Sequence, residues 1–473
     1  MMVDDRILWL GADELGRLYR SQDVSPVEAV DAALARIEQV DGVLNTMVTV
    51  TADTAREQAR EAERRFAARD DLPPLYGVPI TVKDLTDTAG VRTTYGCVAY
   101  RDHVPSEDAP AWARLKAAGT ILLGKTTTPE FGLLGVTESK LTGTTGTPWD
   151  PTRAAGGSSG GAAAATVAGI GPLAWGSDGG GSIRVPASLC GAVGIKPSVG
   201  RIPHAGNTDP DTTEGPLTRR VVDAALMLDA TVGPHPRDRF ALPATGECYA
   251  EAARADGDLT GVRVAASVDF GLGPVDPETR KVFTAALDDL RAAGAVVEET
   301  AIELPDPLEY FVDYWGPEYV MVADEMRAQG LEIWPLIEDI VARARSLPAA
   351  RVSSALRETK TRIYEAYAGV FEHADVLVCP TTPVPAFPHV GDTGGPARVD
   401  GHDVPHPGIN LHRMTESPSH AGLPAMSLPC GFTAEGLPVG LQIVAPLYAD
   451  ARMVSVAARY ERATDWWKRH PEL

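Results

Sequence analysis

From Leu75 onward, the chain alternates short apolar runs, each bounded by Gly or Pro, with segments of helical spacing. Three of these runs are GVPITVK at 77–83, TILLG at 120–124 and IGPLAW at 170–175. Runs of this length between turn residues are typical of strands that are covered on both faces. The alternation predicts class α/β: a single large α/β/α domain around a mixed, mostly parallel twisted sheet.

Changes of pattern divide the predicted domain, which spans residues 1–473. Its segments are a helical N-terminal arm (1–70), a strand-rich core (75–232), a helical cap-like insertion (305–373) and a return to the core sheet (374–473). In the arm, Ser25-Pro-Val-Glu predicts a capped helix start. Six aromatic residues between 310 and 334 favour a cap over a pocket, and plain helical packing explains them equally well.

The charge balance excludes several classes of partner. The 64 acidic and 43 basic residues give a net charge of −21, which repels phosphate backbones and anionic membrane surfaces. The N-terminus is acidic where a signal peptide needs positive charge, and the run 160–175 is too short to span a membrane. Five widely spaced cysteines without a Cys-x-x-Cys pair argue against disulfides or zinc. We therefore expect a cytoplasmic protein with no nucleic-acid partner, no membrane partner and no metal or cofactor.

The strongest local motif is WGSDGGGSIR at 175–184. Three consecutive glycines before a serine leave a run of backbone N–H groups unshielded by side chains, which suits an anion. If Ser182 attacks a carbonyl, the N–H groups of Gly179, Gly180, Gly181 and Ser182 can stabilise the developing oxyanion. A flexible glycine loop without catalytic function is the alternative.

A second glycine-serine cluster, AGGSSGG at 155–161, precedes the Ala-rich run 162–167. Its serines are therefore expected near a helix N-terminus, where simple capping also explains them. The cluster matches G-x-S-x-G twice, with Ser158 or Ser159 in the centre, but the strand and the acid and histidine partners of a hydrolase elbow are not evident. We interpret both matches as accidental.

Lys83 closes an apolar, strand-like run and is one candidate for the base that a serine nucleophile needs. An ordinary lysine is almost fully protonated at neutral pH, so Lys83 can serve only if burial lowers its pKa by about three units. Lys83, Ser158 and Ser182 together then describe a base, a bridging hydroxyl and a nucleophile, without a histidine.

These motifs resemble the amidase signature family of serine hydrolases. The matching segments are 77–84, 124–131, 156–161, 177–186, 191–197, 375–383 and 423–446, in that order along the chain. The resemblance implies that Lys83 is the base, that Ser158 follows a cis peptide bond and relays the proton, and that Ser182 is acylated. It also implies that the loop is oriented by Asp178 and Arg184.

One further implication concerns a neighbouring serine, and two nearby positions depart from the family pattern. Ser159 is expected to support the site through hydrogen bonds rather than to act in catalysis. The chain departs from the family pattern at Ala162, where many members carry serine, and at Gly179, where many carry a β-branched residue.

The spacing around Ser182 resembles the branch of nylon-oligomer hydrolases, aryl acylamidases and urethanases. This resemblance implies a metal-independent amidase that hydrolyses aryl and alkyl amides through an acyl-enzyme and extends to esters and carbamates. We expect a monomer or homodimer with a small-molecule amide substrate and a roomy, apolar pocket. The predicted pocket residues are Phe131, Gly132, Leu133, Leu134 and Tyr314.

Three rival functions fit the sequence less well. A glutamine-hydrolysing component of a tRNA amidotransferase would share the triad, but the stretch 358–364 matches its typical pattern only faintly. A nucleotide-binding module lacks the P-loop Lys-Ser/Thr and a ribose-binding acid. A metal site at His402, His406 and His412 is disfavoured because prolines interrupt any helix that would align them, and we interpret this stretch as a polar loop beside the pocket.

Overall fold

The computed structural model describes residues 5–204 and 211–473. Its strands, numbered β1 to β17 in chain order, are Met47–Val50, Pro79–Lys83, Ile121–Thr126, Glu138–Ser139, Gly143–Thr144, Gly146–Thr147, Asp150–Ala154, Leu173–Asp178, Val193–Lys196, Thr213–Thr218, Arg263–Ala266, Val296–Glu299, Val376–Pro380, Arg398–Val399, His402–Asp403, Ala425–Phe432 and Pro438–Val444.

The α-helices, numbered α1 to α16 in chain order, are Ala12–Ser21, Pro26–Leu44, Ala52–Ala67, Pro110–Ala117, Gly160–Val167, Arg184–Cys190, Val221–Thr231, Tyr249–Arg254, Pro277–Ala292, Pro307–Ala328, Pro335–Arg345, Ala349–Ser354, Lys360–Phe371, Pro407–Leu411, Arg413–His420 and Asp450–Thr464.

Eleven strands form one sheet in the order β1-β3-β2-β8-β10-β9-β16-β17-β13-β11-β12. The α/β class and the mixed sheet are confirmed, but the expected excess of parallel pairs needs correction. Four pairs are parallel and six are antiparallel. The physical reason is that β9 with β10 and β16 with β17 are consecutive strands that pair directly, and such neighbours need no helical crossover.

The parallel pairing of β2 with β8 determines where the two strongest sequence motifs lie in the fold. Ile80 pairs with Leu173 and Val82 with Trp175, so both strands end at the same edge of the sheet. Lys83 is the last residue of β2, and β8 ends at Asp178. The two strongest sequence motifs are therefore brought together at one edge.

The arm is mainly helical but also contributes an edge strand. Ser25 caps α2 as predicted, since its Oγ accepts the Glu28 N–H at 3.2 Å while the Glu28 carboxylate accepts the Ser25 N–H at 2.8 Å. Strand β1, which the helical interpretation of this arm missed, pairs antiparallel with β3. Four residues of strand embedded between two long helices are too few to produce a distinct period-2 pattern.

The stretch 305–373 contains α10 to α13 and packs over a hydrophobic cluster separate from the main core. Within the described residues, no helix is both long and apolar enough to cross a membrane.

Candidate active site

A cavity of about 720 Å³ opens at the edge where β2 and β8 end. Ser158, Ser177 and Ser182 line it, and Lys83 is fully buried behind them. The three predicted catalytic residues come from three separate segments of the chain, and the fold brings them to one place.

The Lys83 ammonium binds two hydroxyl groups. Its Nζ donates to Ser158 Oγ at 2.7 Å and to Ser177 Oγ at 2.9 Å. Burial lowers the pKa of Lys83 to about 7, although the charges of Asp178 and Glu214 oppose this effect. A lysine with this pKa is available as a neutral base near neutral pH.

The Ser158 segment reaches the cavity through a close backbone approach. The peptide bond between Gly157 and Ser158 is cis, as the resemblance implied. A Cβ at Gly157 would lie 2.7 Å from the backbone of Val136, so only glycine fits there. Helix α5 begins directly afterwards at Gly160.

Ser159 connects the two glycine-serine segments. Its backbone N–H donates to the carbonyl of Ser182 at 3.1 Å, and its Oγ donates to the carbonyl of Ser177 at 3.2 Å. This side chain points to β8 rather than to the cavity, in keeping with a supporting role.

Asp178 and Arg184 form a fully buried ion pair below the loop that carries Ser182. Arg184 donates from Nε and Nη2 to the Asp178 carboxylate at 2.9 and 2.8 Å. Burial alone would raise the pKa of Asp178, but the charge and hydrogen bonds of Arg184 lower it to about 2. Such a bidentate pair fixes the direction of both groups.

The Asp178 carboxylate also occupies one of the N–H groups that the sequence predicted as oxyanion donors. Asp178 Oδ1 accepts the Gly181 N–H at 2.7 Å, so this N–H is occupied and the expectation for Gly181 needs correction. The Gly180 carbonyl accepts the Thr415 hydroxyl at 2.6 Å. Within 5–204 and 211–473, the N–H groups of Gly179, Gly180 and Ser182 have no acceptor.

Four of the five predicted pocket residues line the cavity. Phe131, Gly132, Leu133 and Leu134 line it, but Tyr314 does not. The hydroxyl of Tyr314 donates to Asp211, and the next residue on α10 faces the cavity instead, because successive helical side chains point about 100° apart.

The expected apolar character holds only in part. Four aromatic rings from the cap and the 131–134 turn line the cavity, namely Phe131, Phe311, Trp315 and Tyr319. The lining also carries six carboxylates, Asp87, Glu107, Asp108, Glu214, Glu318 and Glu416. These acids come from distant segments, so no local motif announces them.

Sequence reasoning gave Ser177 no role, whereas it placed His412 in a polar loop beside the pocket. Ser177 stands next to Asp178 at the end of β8, and its alternation with Trp175 was an available signal. His412 lines the cavity, and its Nδ1 lies 3.3 Å from the Gly180 carbonyl. No group of three metal-binding side chains occurs in the part of the chain that the structure describes, and His402 lies on β15 while His406 precedes α14.

Comparisons with known proteins show the family to which this chain is related. The family model described as Amidase matches residues 28–454. The acylamidase of Rhodococcus erythropolis is 36% identical over 476 residues, covering 99% of this chain and 98% of that protein. The matching glutamyl-tRNA(Gln) amidotransferase component from Thermosynechococcus vestitus is 35% identical, covering 97% and 99%.

Solved structures are similar over nearly the whole chain. A bacterial aryl acylamidase of the amidase signature family has a TM-score of 0.89 at 29% identity and covers 97% of this chain and 98% of its own. A 6-aminohexanoate cyclic dimer hydrolase has a TM-score of 0.84 at 29% identity, covering 98% and 99%.

Fold and comparisons together define an α/β enzyme of the amidohydrolase class, which hydrolyses amides. Within that class, the chain belongs to the amidase signature family, and the resemblance of its motifs to that family is confirmed.

Proposed function

We propose that this enzyme hydrolyses aryl and alkyl amides through an acyl-enzyme on Ser182, with Lys83 as base and Ser158 as relay. The contact between Lys83 Nζ and Ser158 Oγ, at 2.7 Å and fully buried, carries the proposal. Metal participation is not needed, because the lowered pKa of Lys83 supplies a neutral amine.

In the proposed mechanism, neutral Lys83 accepts the proton of Ser158 while Ser158 accepts that of Ser182. Ser182 Oγ then attacks the amide carbonyl, and the free N–H groups of the glycine loop stabilise the oxyanion. The proton returns through Ser158 to the leaving amine as the C–N bond breaks. Water, activated by the same base, hydrolyses the acyl-enzyme.

The size and walls of the cavity support the proposed substrate range. A volume of about 720 Å³ accommodates drug-sized ligands, and the aromatic rings in its walls offer stacking surface for aryl groups. Esters and carbamates undergo the same acyl transfer, so we include them in the proposed range. The names of the acylamidase and aryl acylamidase relatives support acyl and aryl amides as substrates.

The test is release of 4-nitroaniline from a panel of acyl nitroanilides and of nitrophenol from a carbamate, without added metal. We expect turnover that disappears in Ser182→Ala and Lys83→Ala, whereas Ser158→Ala retains a trace because nucleophile and oxyanion donors remain. Full activity of Lys83→Ala would refute the mechanism. A preference of about a hundredfold for a small aliphatic amide over a bulky anilide would refute the broad pocket.

The glutamine-hydrolysing amidotransferase alternative has its own test, motivated by the 35% identity to such a protein. Ammonia release from glutamine, with no turnover of any anilide, would favour that function. Cytoplasmic location and a monomeric or homodimeric state stay predictions, which cell fractionation and light scattering address.

A further inference from the structure

Gly179 and Trp315 fit each other at the start of the loop 179–182, which carries Ser182 and is named the nucleophile loop. A Cβ at Gly179 would lie 3.1 Å from Trp315 Cη2 and 2.9 Å from Thr212 Oγ1. The β-branched residue that many family members carry at this position would therefore displace the indole. This departure of the sequence has a structural counterpart, since it makes room for Trp315 against the loop.

Trp315 in turn holds a buried carboxylate. Its Nε1 donates to Glu416 Oε2 at 3.1 Å, and His420 Nε2 lies 2.8 Å from the same oxygen. Glu416 is 2% exposed and lines the cavity. Its position relative to the loop is thus determined by one indole and one imidazole.

The second oxygen of Glu416 faces Gly180. A Cβ at Gly180 would lie 2.3 Å from Glu416 Oε1, so the carboxylate lies directly against the loop. Among the described residues, none donates a hydrogen bond to Oε1. A carboxylate oxygen is only an acceptor, so the complementary ligand group is a donor.

Glu416 lies near a second carboxylate and two cationic side chains. Asp211 contacts His420 Nδ1 at 3.2 Å and Lys360 Nζ at 2.5 Å. Burial alone would lower the pKa of His420, but hydrogen bonds and charges of Asp211 and Glu416 raise it to about 9. Two cations, His420 and Lys360, therefore balance the two carboxylates Asp211 and Glu416.

The leaving amine and the acyl group have different surroundings. The leaving nitrogen receives its proton from Ser158, so it lies on the Ser158 side, where a Cβ at Gly132 would lie 3.1 Å from Ser158 Oγ. Trp315 and Glu416 contact Gly179 and Gly180 instead, at the other end of the loop. The acyl part of the substrate is the part expected there.

We infer that Glu416 is a specificity-determining residue, which receives a hydrogen bond from an ammonium or N–H group on the acyl part of the amide. The inference rests on the proposed function, because it assumes acylation of Ser182. It narrows the substrate class to amides whose acyl chain carries a donor one or two carbons from the carbonyl.

The experiment compares isosteric nitroanilides at pH 7, β-alanyl against butyryl and glycyl against propionyl, which differ by an ammonium in place of a methyl group. We expect kcat/KM to favour the amino member by about tenfold, since hydrogen bonds between charged groups are the strong ones. In Glu416→Gln the amide oxygen takes over the bond from Trp315 and leaves an NH₂ beside the loop. The preference should then disappear.

The ratio of two kcat/KM values from one preparation does not depend on the folded fraction, so partial misfolding does not imitate this result. Trp315→Phe, which releases Glu416, should also lower the ratio. Glu107→Gln is the matched control, because this cavity carboxylate pairs with Arg237 and is largely exposed. It should leave the ratio unchanged.

Several results would overturn the inference: no amino preference in the wild type, a preference that survives in Glu416→Gln, or an equal loss in Glu107→Gln. A Glu416-dependent preference for an ammonium on the aniline would overturn the acyl-side assignment. Absence of all nitroanilide turnover would instead refute the proposed function, so the two failures are distinguishable.

Discussion

Among single residues, Lys83 is the clearest case in which the position of a side chain in the fold changes its pKa. It is an ordinary lysine at the end of a strand, and burial, against the opposing charges of Asp178 and Glu214, lowers its pKa to about 7. Two hydroxyl groups, and no carboxylate, are within hydrogen-bond distance of its Nζ. Because a directly paired lysine would stay protonated, the absence of such a pair among the described residues keeps the neutral form accessible.

The activity should therefore follow the ionisation of Lys83. We expect kcat/KM to rise between pH 6 and pH 8 with a midpoint near the lowered pKa of about 7, because only the neutral amine acts as base. Glu214→Gln removes a charge that raises this pKa, so its profile should move to lower pH. Glu107→Gln serves as the control, and an unmoved Glu214→Gln profile would contradict the assignment.

At the scale of elements, the nucleophile loop is held from both sides of one peptide unit. The Gly181 N–H donates to Asp178 at the end of β8, and the Gly180 carbonyl accepts from Thr415 on α15. Rotation of this unit is thereby blocked, which fixes the direction of the remaining free N–H groups. The loop is rich in glycine and therefore flexible by composition, but the three elements β8, α6 and α15 fix its conformation.

Thr415 offers a test of this arrangement. Thr415→Val keeps the shape of a fully buried side chain and removes its hydroxyl. We expect kcat to fall by about tenfold with a much smaller change in KM, since the donors act on the transition state. Thr415→Ser restores the hydroxyl and should recover most of kcat. A loss confined to KM would instead indicate a binding role.

At the scale of the whole molecule, the Asp178–Arg184 pair connects distant parts of the fold. Arg184 also donates to Gln442 Oε1 on β17 at 2.8 Å and to Ser419 Oγ on α15 at 2.7 Å. All of these groups are buried. The site and the centre of the sheet are therefore parts of one polar network, and damage to it should affect stability as well as activity.

Arg184→Met should lower the free energy of unfolding by about 3–5 kcal/mol, because it leaves the Asp178 charge buried without its partner. Urea denaturation at pH 7 measures this change, and Arg64→Met, at an exposed pair with Glu61, is the control that should show none. A loss no larger than the control would contradict the expectation.

The wild-type stability should also depend on pH through Asp178. The folded-state pKa of about 2 lies below the ordinary 3.8, so the pair stabilises the fold above pH 4. This contribution is lost as the pH falls from about 4 toward 2.

Sequence patterns were enough to predict the α/β class and the capped start of α2, and they pointed to Lys83, Ser158 and Ser182 as candidate catalytic residues. These signals are local, because a capping box, an apolar run or a glycine-serine motif lies within a few neighbouring residues. Asp178 and Arg184 could likewise be predicted to act together, because both lie in the same short motif.

Three features became visible only in the folded molecule: the pairing direction of the strands, the occupied N–H of Gly181, and the position of Trp315 rather than Tyr314 at the cavity. The same is true of the position of Glu416 against Gly180, since the two are far apart in the chain. The physical reason is that strand partners, helix rotation and buried charge pairs depend on contacts between distant segments. Such contacts leave no periodic or local trace in the sequence.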